Sequence, residues 1–180
     1  MRKTKRELIH EGFLTVVRNT YQGPDGSAVT REMVEHPGAS VIIPMVGKDE
    51  LIFVEQFRPG ANRKLLELPA GILDKNEDPR TCAKRELEEE TGFRAGKLEH
   101  LFSAYSSPGI FEEQLHVFMA TDLEDRGGQN TDNDEFITLK RMNFRDIRIQ
   151  LRSGNIKNAI TVAALGYLLT FKPYLGKEES

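Results

Sequence analysis

Gly71-Ile72-Leu73-Asp74-Lys75-Asn76-Glu77-Asp78-Pro79-Arg80-Thr81-Cys82-Ala83-Lys84-Arg85-Glu86-Leu87-Glu88-Glu89-Glu90-Thr91-Gly92-Phe93 is the stretch on which the reading of this chain turns. Its second half carries helix signals at both ends. Asp78 is a good N-cap, Pro79 suits the first helical position, and Gly92 can take the left-handed conformation that stops a helix. The spacing predicts a helix of about thirteen residues. At about 100° per residue, Glu86, Glu89 and Glu90 fall within one third of its circumference, with Ala83 and Leu87 on the adjoining apolar stripe.

Like charges three and four residues apart destabilise a helix by about 0.2–0.5 kcal/mol per pair, and Lys84 and Arg85 offset only part of that. Divalent cations would remove the repulsion. Carboxylate oxygens suit Mg²⁺ or Mn²⁺, and Mg²⁺ typically binds with retained waters and the phosphates of a substrate. A Glu-rich helix face is ordinarily just solvated. Here the spacing is far more specific: a glycine, a glutamate after five residues, and after seven more Arg85-Glu86-Leu87 running to Glu89-Glu90 and Gly92-Phe93.

That pattern resembles the Nudix box, unbroken. The resemblance implies a Nudix hydrolase, acting on a nucleoside diphosphate linked to another group, with Glu86 and Glu90 as main metal ligands and Glu89 assisting. It extends further. His36-Pro37-Gly38-Ala39, Glu55-Gln56-Phe57-Arg58, Glu67-Leu68-Pro69-Ala70-Gly71 and Ser107-Pro108-Gly109 are similar to the ADP-ribose pyrophosphatase group, and the likeness covers most of residues 31 to 170. In that group a proline some fifteen residues beyond the box accompanies ADP-ribose as substrate, and Pro108 stands there.

The same resemblance assigns further roles. Arg58, at a strand end, matches an arginine that contacts substrate, and a planar guanidinium suits a phosphate. Glu113, with Glu112 beside it, matches a position near the terminal ribose. Glu135 matches a loop glutamate that takes a proton from the attacking water or binds a further metal, with Asp134 and Asp132 as alternates. Ala70 would offer a carbonyl to a metal. Arg85 would orient Glu86 or Glu89, and Glu77 would pair with Arg85 or reach an outer metal. Arg31 would reach the base in a partner subunit, since related enzymes form homodimers with exchanged N-terminal arms.

The remaining composition sets bounds. The chain has 180 residues, with 25 Lys plus Arg against 28 Asp plus Glu, a formal net charge of −3. No nucleic-acid or membrane-surface partner is expected from that balance. No apolar run approaches a membrane span, and Met1 to Glu7 lacks the apolar core of a signal peptide, so a cytoplasmic enzyme is expected. Cys82 is the only cysteine. It reads as a packed residue under the acidic helix. His10, His36, His100 and His116 lack metal-ligand spacing and are assigned no chemistry.

Along the chain, strands are predicted at 13–20, 28–34, 40–46, 51–56, 64–68, 96–105, 114–120 and 136–142. A polar loop is expected over 124–133, a short helix from Asn143 to Gly154, and an amphipathic helix over 156–171. The fold class is α+β: an α/β/α sandwich with a mixed central sheet. An N-terminal β arm (1–36), which should aid dimerisation, precedes the hydrolase domain (37–175) and a frayed tail (176–180). The expected activity is Mg²⁺-dependent hydrolysis of ADP-ribose or a related nucleoside diphosphate sugar. GDP-mannose, or a broad range of nucleotide sugars, is the alternative substrate. A sensor that binds ADP-ribose without hydrolysis is disfavoured, because every box glutamate is present.

Overall fold

A computed structural model of the chain describes residues 1–130, 137–172 and 175. Three strands come first: β1 (Arg2–Glu11), β2 (Thr15–Gln22) and β3 (Ala28–Glu35), an antiparallel sheet of their own. A second sheet follows, built from β4 (Ala39–Val46), β5 (Glu50–Arg58), β6 (Arg63–Glu67), β7 (Ala70–Ile72), β8 (Phe93–Tyr105), β9 (Gln114–Asp125) and β10 (Thr138–Asn143). Its main order is β10-β5-β4-β9-β8, with β6 on β5 and β7 on β4; β4 and β9 run parallel and the other pairs antiparallel. The helices are α1 (Pro79–Thr91), α2 (Phe144–Arg152) and α3 (Ala159–Phe171).

Alternation on the central strands divides the core. Val41, Ile43 and Met45 of β4, with Leu115, Val117 and Met119 of β9, face α2 and α3, where Phe144, Ile147, Ala164, Leu165 and Leu168 are buried. Ile42, Phe118 and Ala120 point the other way, against Ala83 and Leu87 of α1. Strands covered on both faces need apolar residues at successive positions, as β4 has. The result is the expected α/β/α sandwich with a mixed sheet.

Several boundaries differ from the sequence reading. β1 has no predicted counterpart, since all ten of its residues are exposed and no buried face imposes an alternation. It is held by its ladder to β2 and by Arg6, whose Nε and Nη2 donate to Glu35 at 2.7 and 2.6 Å across the sheet. β8 starts at Phe93, directly after the helix stop. β9 runs on to Asp125, so the front of the expected polar loop is strand. α3 starts at Ala159, where the Asn158 side chain accepts from Thr161 N at 2.9 Å. Ile156, counted in the helical periodicity, is a buried anchor ahead of that cap. Phe136, the expected first residue of the last strand, and the tail 176–180 lie outside the described residues.

The root of the arm is stitched to its own chain. Val34 N donates to Ile110 O at 2.8 Å, Glu112 N donates to Val34 O at 3.0 Å, and Lys3 pairs with Glu112 at 3.4 Å. Phe13, between β1 and β2, is 99% exposed. Among the described residues no helix is long and apolar enough to cross a membrane.

Leu87 is fully buried in the small cluster that fastens α1 to the sheet. Leu87→Ala should lower stability by about 2–5 kcal/mol in denaturant unfolding, the cost of a cavity that cannot close.

Candidate active site

α1 forms as its ends dictate. Asp78 accepts from Arg80 N at 3.0 Å and Thr81 N at 3.2 Å, Pro79 opens the helix, and Gly92 closes it at φ 74°. The carboxylates of its inner face do not stand alone. Arg85 donates through Nη1 to Glu86 at 2.6 Å and Glu89 at 3.0 Å, and through Nε and Nη2 to Glu77 at 3.0 and 2.9 Å. Nη2 also reaches Ile72 O at 3.1 Å. The hydrogen bond from Arg85 holds the Glu77 carboxyl below the ordinary range of a glutamate, against burial, which acts the other way. The same bond, more than any other contact, raises Arg85.

Two close approaches set the shape of this centre. A Cβ at Gly71 would fall on the Glu86 carboxylate, so only glycine lets that side chain lie over the loop. Glu90, 2% exposed, accepts the backbone N–H of Ala70 at 3.0 Å. Ala70 thus meets the glutamates through its amide. Cys82 lies below, its thiol directed at the carbonyls of Gly71 and Ile72 at 3.5 and 3.6 Å; burial pushes it up to about 11.

At the end of β5, Arg58 donates three hydrogen bonds to Glu67, at 3.2, 3.0 and 2.7 Å, which fixes the plane of its guanidinium. The Glu67 side chain is 3% exposed and that of Arg58 43%. Arg58, Glu67, Ala70, Arg85, Glu86 and Glu89 share a cleft of about 810 Å³. His36, Glu113, Tyr105 and Asn158 also line it, with Leu115 and Ile160 among its apolar residues. His36 Nδ1 accepts Gly38 N at 3.1 Å and stands 3.6 Å from Glu113 Oε1.

The structure therefore brings Arg58, Ala70, Glu86, Glu89 and Glu113 to one cleft, with Glu90 packed beneath it at Ala70. Two predicted residues stand apart. Arg31 donates to the neighbouring Thr30 O at 2.9 Å, and neither it nor Pro108 lines the cleft. Glu112 turns to the arm through Lys3. Glu135, Asp134 and Asp132 lie outside the described residues. Glu67 and His36 were missed: an acid and an imidazole without metal spacing carry no signal until the sheet folds them inward. His100 and His116, on β8 and β9, share the Ser103 hydroxyl at 2.9 and 2.8 Å and do not line the cleft.

The donor set suits a divalent cation. Glu86 and Glu89 already converge on one cationic group, the Arg85 guanidinium, and carboxylate oxygens are the ligands that hard cations take. Among the described residues no three carboxylate, imidazole or thiol groups are gathered closely enough to hold an ion as they stand. Glu86 and Glu89 would have to turn from Arg85, which keeps Glu77 and Ile72 as partners.

A fold of this architecture, with a carboxylate helix and a fixed arginine lining one cleft, defines a class. A match to the NUDIX domain spans residues 34–165, and the chain belongs to that family. It is 39% identical over 148 residues to an ADP-ribose pyrophosphatase of Bacillus subtilis (strain 168), covering 81% of this chain and 79% of the relative. It is 37% identical over 166 residues to a methanol dehydrogenase activator of Bacillus methanolicus, covering 91% and 90%. To a GDP-mannose pyrophosphatase of Escherichia coli (strain SMS-3-5 / SECEC) it is 29% identical over 179 residues, covering 92% and 93%. Among solved structures, one described as an ADP compounds hydrolase superposes with a TM-score of 0.81 at 23% identity, over 97% of this chain and 96% of the other.

Two outcomes check this geometry. Gly71→Ala should displace the Glu86 carboxylate and cost more than tenfold in turnover while the protein remains folded by circular dichroism. Cys82 should resist iodoacetamide at pH 8 in the native protein and react at once in denaturant, as burial and a raised thiol pKa require.

Proposed function

We propose that this protein hydrolyses the diphosphate bond of ADP-ribose or a related nucleoside diphosphate sugar with Mg²⁺, or Mn²⁺ in its place, giving a nucleoside monophosphate and a sugar phosphate. The observation that carries this reading is the Arg58 guanidinium, locked by Glu67, lining the same cleft as Glu86 and Glu89 of α1. A guanidinium and cation-binding acids in one cleft are what a diphosphate needs to be held and reacted. About 810 Å³ is room for a substrate of this class.

Water attacks one phosphorus, the bond from that phosphorus to the bridging oxygen breaks, and the bridging oxygen leaves with the other phosphate. A divalent cation would neutralise phosphate charge and make water more acidic. Glu86 and Glu90 would hold it, with Glu89 assisting, while Arg85 keeps Glu77 as its partner. Ala70, whose N–H is taken by Glu90, would offer its carbonyl to the cation. Glu135, with Asp134 and Asp132 as alternates, takes the proton from the water. Glu113 binds the terminal ribose, and the turn at Pro108 shapes the loop that carries it.

The protein is read as a cytoplasmic homodimer with exchanged arms, in which Arg31 reaches the partner's nucleotide. The exposed Phe13, Leu8, Ile9 and Leu14 support a covered arm. GDP-mannose remains the second substrate reading, favoured by the 29% identical pyrophosphatase of E. coli.

Phosphate release with a coupled phosphatase, compared across ADP-ribose, GDP-mannose, UDP-glucose and capped RNA, tests the substrate. ADP-ribose should lead; silence on every sugar nucleotide would end the hydrolase reading. Glu90→Gln should remove more than nine tenths of turnover at nearly unchanged Tm, because the amide can still sit against Ala70. Arg58→Ala should raise KM at least tenfold with a smaller change in kcat, the signature of lost substrate binding.

A further inference from the structure

We propose that Gln129 is a positioning residue for the cation-binding turn of α1, an inference that rests on the metal-site reading above. The last carbonyls of a helix lack partners within it, and the negative end of its dipole disfavours carboxylates nearby. α1 meets both problems in the turn that carries Glu89 and Glu90, and that turn has no basic residue. Gly92 N serves only the Glu88 carbonyl, at 2.9 Å.

The other donors come from a segment distant in sequence, just past β9. Asn130 N donates to Glu89 O at 2.8 Å, the Gln129 carboxamide donates through Nε2 to Glu90 O at 2.6 Å, and Arg126 N donates to Gly92 O at 2.8 Å. Glycine at position 92 makes the approach possible, since a Cβ there would stand 2.7 Å from Gly128 O. Residues 126–130 thus form a latch over the helix terminus.

Within this latch Gln129 is the donor that belongs to a side chain. It fixes Glu90 from outside through the carbonyl, while Ala70 N fixes the same residue from inside through the carboxylate at 3.0 Å. Glu90 must remain in line with Glu86, one turn earlier, for both to reach one cation. Without the Gln129 donor the Glu90 carbonyl loses its partner from the latch, and Glu90 is held on one side only, by Ala70 N. Partners of this kind typically change metal affinity by about 10–100-fold. Gln129 is itself exposed, so its contribution to the core is slight.

The test is direct Mn²⁺ binding, read from the electron paramagnetic resonance of the free ion, for the full chain and for Gln129→Met, which keeps the size and removes the donor. Tm and sugar-nucleotide turnover are measured on the same samples. The expected result is binding by the wild type, about tenfold weaker binding by the variant, Tm within a few degrees, and recovery of kcat at saturating Mn²⁺. Equal affinity in the two proteins would overturn the proposal, as would a loss of affinity that merely tracks a large fall in Tm. Failure of the wild type to bind Mn²⁺ would instead remove the metal-site reading, and this proposal with it.

Discussion

Much of this molecule depends on the contact between the Arg85 guanidinium and the carboxylates of Glu77, Glu86 and Glu89. Acids spaced three and four apart on a helix repel one another. Placed against a loop and a sheet they would repel more, because burial strengthens the field between them. One arginine inside the same helix resolves this. It spans from the helix to the loop through Glu77 and Ile72, so the charge that neutralises the face also ties the loop to it. The acids are thereby held beside the loop, and Glu86 and Glu89 have to turn from Arg85 before they can hold an ion.

Geometry elsewhere serves that contact. Gly71 gives Glu86 the space it occupies, and the Ala70 amide gives Glu90 a partner that a buried carboxylate requires. β7 is only three residues long, yet its pairing with β4 anchors that loop to the most buried strand of the sheet. Elsewhere in the cleft Glu67 plays toward Arg58 a part like that of Glu77 toward Arg85. In each pair an arginine is bonded through two of its nitrogens to a carboxylate, which fixes the plane of the guanidinium.

How far the sequence could be read follows from which signals are local. α1 was legible to the residue, because Asp78, Pro79 and Gly92 fix its ends through their own backbone preferences. The two-sided burial of β4 was legible in its unbroken apolar run. β1 was not, since its ten exposed residues carry no periodicity and its partners are on other strands. The Arg58–Glu67 pair, the His36–Glu113 approach and the latch of 126–130 on α1 join residues 9 to 77 positions apart or more loosely spaced loops, and pairing across such separations is set by the sheet. Glu67 stood in a recognised motif without a role, because nothing local says that a strand glutamate will be buried. Arg31 and Pro108 show the opposite case: the residues sit where a family pattern places them, and within one chain they do not line the cleft.

The most direct test of the central claim is a crystal structure of the protein soaked in Mn²⁺, with anomalous scattering used to locate the ion. The account requires an anomalous peak bound by carboxylate oxygens of Glu86 and Glu90, with Arg85 turned from Glu86 while still bonded to Glu77. A structure at saturating Mn²⁺ with no peak on α1, and with Arg85 still bridging Glu86 and Glu89, would contradict it.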